Sequence, residues 1–434
     1  MVAKLSLKRL LYAFFLFSIL LYVHFLLRVS RLPNIAQNQT NAKTTKKIII
    51  ATEIQNVETV TSTQYEKTED ENQLPWFFKH GSRRPKPRKT NEKRNIWPHE
   101  VPNNDRIIQQ LMYIPKDYNE QTAPLKKIVL WHGLEDHWVK LGQTSFFEAK
   151  CPVNRCIVTE DAITADAILF KDHFVLPSFK RSSNQVWIIY WLESPYHTER
   201  LEYNDLINWT ATYRHDSDIA TPYEKWVYYD ENIKENPILT KNYAANKTHQ
   251  VAWFVSNCNA RNERLNYAHE LQKYISVDIY GFCGSLRCPR TEECFRLLDT
   301  TYKFYLAFEN SNCVNYITEK FFISGLQHDV LPIVMGAPPE DYAAVAPYHS
   351  YIHVDDFASP KELANYLLKL DNDDDLYNSY FRWKGTGEII NTRFFCRLCV
   401  MLHDPIHSKS YRNLNKWWKN INTCIPSGPW NKSN

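Results

Sequence analysis

Tyr302–Phe322 reads YKFYLAFENSNCVNYITEKFF. Its opening run, Tyr302 to Phe308, alternates in a way that predicts a strand directed into a core. The run stops at Glu309-Asn310-Ser311, and a helix is predicted from about Thr318, with Glu319 and Lys320 in its first turn. Strand, polar loop and helix start, in that order, form the unit of an open α/β sheet, whose ligands sit beyond the carboxyl ends of the strands. The N–H groups of a helix start and the Lys320 ammonium suit an anionic guest, phosphate above all. The plainer reading is an ordinary strand–helix unit with a solvated lysine.

The same alternation extends outward. Lys127–Leu130, Ala167–Phe170, Val186–Trp191 and Thr210–Tyr213 read as strands, as do Val251–Val255, Val277–Tyr280, Val330–Val334 and Tyr351–Val354. Helical patterns cover Glu263–Tyr274, Thr291–Leu298, Glu319–Gln327 and Lys361–Leu370, the last opened by the capping box Ser359-Pro360-Lys361-Glu362. Short apolar strands alternating with helices imply parallel sheets. Some 330 residues are too many for one typical core, and the Asn/Lys/Thr-rich stretch Lys241–His249 is the expected boundary between two α/β halves.

Leu10–Leu27 is almost pure hydrocarbon, long enough to span a bilayer. No small-x-small cleavage site comes after it, so an uncleaved signal-anchor is expected. Sequons at Asn38, Asn208, Asn246 and Asn431 and ten cysteines favour a luminal fate for the chain beyond the span. The expected order is a cytosolic tail (1–9), the span (10–27), a flexible stem (28–100), a first α/β domain (101–246), a second (247–384), and a C-terminal segment returning to the first (385–434). The stem carries eight Lys/Arg against one Glu over Lys79–Arg94. A luminal compartment offers no nucleic acid, so this reads as a solvated basic stretch. The net charge of +4 excludes nothing.

Five blocks between Lys126 and Leu402 resemble the α1,3-fucosyltransferases: Tyr190–Arg200 (YWLESPYHTER), Asn208–Trp226, Val251–Gly281, the opening Tyr302–Phe322 run, and SYIHVDDFASPKELANYL, with CRLC at Cys396–Cys399 after them. The similarity leans to the insect and plant type that acts on the N-glycan core. The resemblance implies a GT-B arrangement, two Rossmann-like domains facing a cleft, a GDP-fucose donor, an N-glycan acceptor on glycoproteins, and a single-pass type II protein of the Golgi membrane. It also implies donor binding that requires no metal, with Mn²⁺ or Mg²⁺ at most stimulatory.

Inverting transfer needs one general base and cationic relief for the departing diphosphate, with no covalent nucleophile. A carboxylate after the apolar run Val186–Leu192 suits the base, and the matched Glu193-Ser194-Pro195-Tyr196-His197 assigns that role to Glu193 by resemblance; capping backbone N–H groups is the bland alternative. By the same matching, Lys320 faces the phosphates, Glu319 binds ribose or fucose hydroxyls, Tyr316 packs on the nucleotide and Asn310 joins the donor site. Arg264 contacts the diphosphate, with Arg261 as a competitor. Asn315 departs from the pattern, standing where many relatives have Asp. The terminal CxxC implies two disulfides from Cys396 and Cys399 to Cys151 and Cys156, in either pairing; the other six cysteines stay open. Trp131, His132, Trp138 and Trp191 are candidates for an acceptor cleft, although most aromatics serve cores.

One rival reading starts elsewhere. Asp216-Ser217-Asp218 has the spacing with which GT-A enzymes hold Mn²⁺ and a sugar diphosphate, but Arg214 beside it suggests a structural ion pair. Asp373–Asp375 reads as a helix start. A glycan-binding protein without transfer is the alternative class, and a Lewis-type outer-antenna acceptor the alternative substrate.

Overall fold

Each of the nine runs read as strands holds one, within a residue or two at the ends. In the computed structural model, residues 73–133, 139–289, 291–404 and 409–430 are described. The expected span at 10–27, Asn38, Trp138 and Asn431 lie outside these residues. Among the described residues no helix is long and apolar enough to cross a membrane.

The first half forms a five-stranded parallel sheet from β1 (Lys126–Leu130), β2 (Cys156–Val158), β3 (Ala167–Lys171), β4 (Val186–Trp191) and β5 (Trp209–Thr212), in the order β2-β1-β3-β4-β5. After the short β6 (Lys225–Tyr228), β7 (His249–Phe254), β8 (Val277–Tyr280) and β9 (Tyr302–Phe308) begin a second sheet. Past the two-residue β10 (Asn312–Cys313), that sheet is completed by β11 (Leu331–Met335) and β12 (Ile352–His353), in the order β12-β11-β9-β7-β8. Numbered within each half, both sheets run 2-1-3-4-5. That order puts the topological switch point between the first and third strands, here β7 and β9 of the second sheet. All six residues of β4 and all seven of β9 are buried, as expected of inner parallel strands covered on both faces.

Local rules hold where the chain is punctuated. Ser359 accepts from the Glu362 N–H at 3.3 Å, while Glu362 reaches back to the Ala358 N–H at 3.2 Å. Asp373 caps the helix Asp374–Ser379. The helix predicted over Glu319–Gln327 is only a single α-turn, Glu319–Phe321, running into a π-turn, Phe322–Leu326. Gly325 sits inside that π-turn with Pro332 packed 3.0 Å from where its Cβ would lie.

The expected stem is shorter than 28–100. Trp76, Phe77, Phe78, Ile96 and Trp97 are buried in the core of the first sheet, and the Trp76 indole donates to the Leu111 carbonyl at 3.1 Å. The polar average of this region hid a compact aromatic cluster. Its basic residues are partly structural as well: Arg94 pairs with Glu100 and Asp404, and Arg84 lies over Trp76.

The C-terminal segment does more than return to the first sheet. β13 (Gly387–Ile390) pairs antiparallel with β6, making a two-stranded ribbon. The helix Phe394–His403 then packs into the first core and is bonded there by Cys151–Cys396 and Cys156–Cys399, which resolves the open pairing. Finally β14 (Cys424–Ile425) pairs with β10 of the second half. The remaining bridges are Cys258–Cys283, Cys288–Cys294 and Cys313–Cys424, so no cysteine is free.

Candidate active site

The carboxyl ends of β7 and β9 open into a cleft of about 610 Å³, at the switch point where the topology puts a ligand. Arg264, Asn310, Glu319 and Lys320 all line it, with Ser256, Asn257, Gly281 and Tyr305. Gly281 has φ +102, and a Cβ there would lie 2.4 Å from the Val255 carbonyl oxygen, so the close approach of the ends of β7 and β8 requires glycine.

β9 is followed directly by Glu309, whose side chain is completely buried. Its carboxylate accepts from the Thr318 N–H (2.8 Å), the Thr318 hydroxyl (2.9 Å) and Lys320 Nζ (3.0 Å). Burial pushes the Glu309 carboxyl up, and Lys320 and the Thr318 N–H oppose the shift. Burial works against the charged Lys320, but Glu309 and then Glu319 outweigh it and hold the ammonium above the ordinary lysine value. Glu319 is half-exposed, 3.3 Å from that ammonium. Glu309 is fitted in by Gly336, where a Cβ would lie 2.6 Å from Glu309 Cγ. Glu309 escaped the sequence reading, which took it for the first residue of a polar loop; a carboxylate directly after seven core residues was the available signal.

Arg264 and Arg261 separate clearly. Arg264 is buried on the cleft wall, donating to the carbonyls of Phe308 (2.7 Å) and Asn257 (3.1 Å), with its Nε lacking a partner among the described residues. Arg261 is exposed and stacks over the Tyr196 ring at 4.8 Å, away from the cleft lining.

Glu193 comes after β4 on the first sheet and is exposed. Its Oε2 accepts from the Tyr316 hydroxyl at 3.0 Å, with Asn310 Nδ2 at a marginal 3.5 Å. Next to it, Ser194 and Ser311 share a hydrogen bond at 2.8 Å. The acid therefore stands in register with the cleft loop of the other half. Tyr316 corrects an expectation: its ring is buried against Tyr213, 5.0 Å between centroids, and does not line the cleft. Burial raises its phenol well above the usual value, so it remains a donor toward Glu193. The cause is Asn315, at φ +59, which turns the chain back. Asn315 also accepts from the His215 N–H at 3.2 Å and donates its own N–H to Asp341, so an aspartate there would set two carboxylates together. Tyr223 donates to the Leu192 carbonyl at 3.0 Å, just before the acid, and was also missed.

Other candidates fall away from the site. Asp216 is held by Arg214 at 2.6 Å and by the Trp417 indole at 2.8 Å. Asp218 is fully buried against Thr210, Tyr411 and Lys409. The triplet is thus committed to two separate structural clusters. Trp191 is core, not cleft; Trp131 packs on Phe170 and Phe179; exposed His132 reaches the His173 carbonyl at 2.8 Å. Asn246 is exposed. Asn208 is half-buried, its Nδ2 donating to the Lys409 carbonyl at 2.8 Å and its Oδ1 accepting from the Trp187 N–H, a role inside the fold that conflicts with glycosylation.

Residues 244–417 match the profile of glycosyltransferase family 10 (fucosyltransferase), C-terminal part, and residues 123–224 match the fucosyltransferase N-terminal profile. The chain is 55% identical over 369 residues to glycoprotein 3-alpha-L-fucosyltransferase A of Drosophila melanogaster, covering 80% of this chain and 73% of that one. It is 36% identical to alpha-(1,3)-fucosyltransferase C of the same organism, over 74% of this chain and 83% of the other. A crystal structure of an alpha1,3-fucosyltransferase with GDP-fucose superimposes with a TM-score of 0.44 at 18% identity, over 70% of this chain and 98% of that one.

Proposed function

The chain belongs to glycosyltransferase family 10, the fucosyltransferases, and from that premise we propose that it transfers L-fucose from GDP-β-L-fucose, with inversion, to the 3-hydroxyl of a GlcNAc in glycoprotein glycans. The acceptor we propose is the innermost GlcNAc of the N-glycan core; the name of the 55% identical relative supports a glycoprotein as the acceptor class. One observation carries the reading: a strand-end carboxylate, Glu193, is hydrogen-bonded to residues of the loop whose neighbours Glu319 and Lys320 line the opposing cleft.

In this mechanism the diphosphate lies against Lys320 and Arg264, whose charges offset the negative charge that grows on the leaving GDP. Glu193 takes the proton of the acceptor 3-hydroxyl as that oxygen attacks C1 from the face opposite the diphosphate. The C1–O bond to phosphate breaks with its electron pair, and the single displacement inverts C1. Tyr316, protonated and donating to Glu193 Oε2, orients the carboxylate. The cations that face the phosphates belong to the protein, and both carboxylates of Asp216-Ser217-Asp218 have other partners. The proposed donor binding therefore requires no metal.

Five disulfides suit an oxidising compartment. With the apolar Leu10–Leu27 this supports a single-pass type II protein of the Golgi membrane with the catalytic part luminal. The test is transfer of labelled fucose by a fragment beginning at Glu66, offered a core chitobiose N-glycan, GalNAcβ1,4-GlcNAc and N-acetyllactosamine, with EDTA and with Mn²⁺. Labelling of the innermost GlcNAc in EDTA is expected. Labelling only of an outer GlcNAc overturns the acceptor, and dependence on Mn²⁺ overturns the metal-free mechanism. Glu193→Gln should lower kcat by about 10²–10⁴-fold with GDP affinity unchanged; full activity in that variant would remove Glu193 as the base.

A further inference from the structure

Residues 409–430 read KSYRNLNKWWKNINTCIPSGPW, a stretch whose last part, from 418, lies beyond the match to the family profile. Its first residues lie along the edge of the first sheet: the Tyr411 N–H donates to the Ile207 carbonyl at 2.8 Å, and Lys409 pairs with buried Asp218. Asn413 caps the short helix Leu414–Trp418 by accepting from the Lys416 N–H. The chain then meets the loop beyond Glu193. Asn415 bonds Leu201 twice, accepting from its N–H at 3.0 Å and donating to its carbonyl at 2.7 Å. The Trp418 indole, fully buried between Trp191 and Tyr213, donates to the Thr198 hydroxyl at 2.7 Å. Lys419 Nζ donates to the carbonyls of Pro195 and of Thr198, the latter at 2.6 Å.

Four residues later the same segment is fixed to the other half. The Val314 N–H donates to the Thr423 carbonyl at 2.8 Å, β14 pairs with β10, and Cys424 is bonded to Cys313. Trp430 finishes the crossing, its indole donating to the Gly336 carbonyl at 3.0 Å. Gly336 is the glycine that admits Glu309.

Loop carbonyls are ordinarily left to water, and an ammonium ordinarily seeks a carboxylate. Here a lysine has no acidic partner among the described residues and is spent on two carbonyls of one loop, two and five residues past Glu193. We infer that residues 409–430 are a strap that sets the position of the Glu193 loop relative to the donor cleft, with Lys419 as its main positioning residue. The inference deepens the transferase reading and rests on it. Lys419 touches neither the cleft lining nor Glu193, so its loss should shift the acid without altering the donor site.

The experiment uses the full-length chain with Lys419→Met and Lys419→Arg, read by hydrogen exchange, by GDP calorimetry and by transfer kinetics. Lys419→Met should accelerate exchange at least tenfold in peptides covering 195–201 but not in 302–308. It should lower kcat tenfold or more, with KM for GDP-fucose and GDP affinity within twofold of the parent. Lys419→Arg should recover at least half of both losses. Unchanged exchange over 195–201, or kcat and GDP affinity falling together, would overturn the strap. A parent protein that transfers no fucose would overturn the transferase reading alone, because the exchange comparison decides the strap without any turnover.

Discussion

At the scale of residues, the site is governed by what is buried beside what. The Glu309 carboxylate has no exposure, so removing its cation leaves an unpaired charge in the interior. Lys320→Met should cost about 3–5 kcal/mol of stability as well as donor affinity. Adding Glu309→Gln should return most of the stability, measured by denaturant unfolding, and none of the GDP binding. If the single variant were as stable as the parent, the buried pair would not have the weight given to it. Asp341 supplies a pH prediction. Burial raises its carboxyl to about 6, above its unfolded value, so the folded state holds the proton more tightly and stability falls as pH rises through about 4 to 6. Asp341→Asn keeps an acceptor for the Asn315 N–H. It should be the more stable protein at pH 7, by about 1–2 kcal/mol after discounting for partial exposure, with the advantage gone below pH 4. An advantage that persisted at pH 3.5 would rule out the ionisation as its cause.

At the scale of elements, the long apolar strands were legible and the short ones were not. β4 and β9 are central, buried on both faces, and their composition says so without any partner. β6 and β13 pair only with each other across more than 150 residues, and β10 and β14 are two residues each; such pairings are decided by tertiary contact. The helix Phe394–His403 went unread because it is apolar nearly all round, packed in the first core rather than amphipathic. Within the site, the matched motifs brought Arg264, Asn310, Glu319 and Lys320 together. Glu309 and the true direction of Tyr316 depend on Gly336 and on the left-handed turn at Asn315, two backbone conditions that side-chain patterns do not carry. The pairing of Cys156 with Cys399 closes a loop spanning 243 positions. Cys156→Ser with Cys399→Ser should cost about 2–5 kcal/mol, read as a lower denaturant midpoint. A midpoint equal to that of the parent would assign the hold on this helix to packing and to Cys151–Cys396 alone.

At the scale of the whole molecule, the globular part begins earlier than composition suggests. Trp76, Phe77 and Phe78 belong to the core of the first sheet, and fully burying such side chains contributes about 1.5–3 kcal/mol each. A fragment starting at Asn95 should therefore be several kcal/mol less stable than one starting at Glu66, and be secreted in lower yield. Equal melting temperatures for the two would show these aromatics to be dispensable. The two α/β halves are joined by the β6–β13 ribbon and by the C-terminal segment, which is anchored to both.

That arrangement has a consequence for the order of events during synthesis. Every residue that lines the donor cleft has left the ribosome once Ser324 has, yet the helix that completes the first core arrives after position 393 and the partner of the Glu193 loop only at 415–419. The nascent chain thus holds every cleft-lining residue for about a hundred residues of elongation before the partner of the Glu193 loop arrives. A premature stop anywhere between Gln327 and Trp417 would leave the cleft residues intact and the enzyme without turnover.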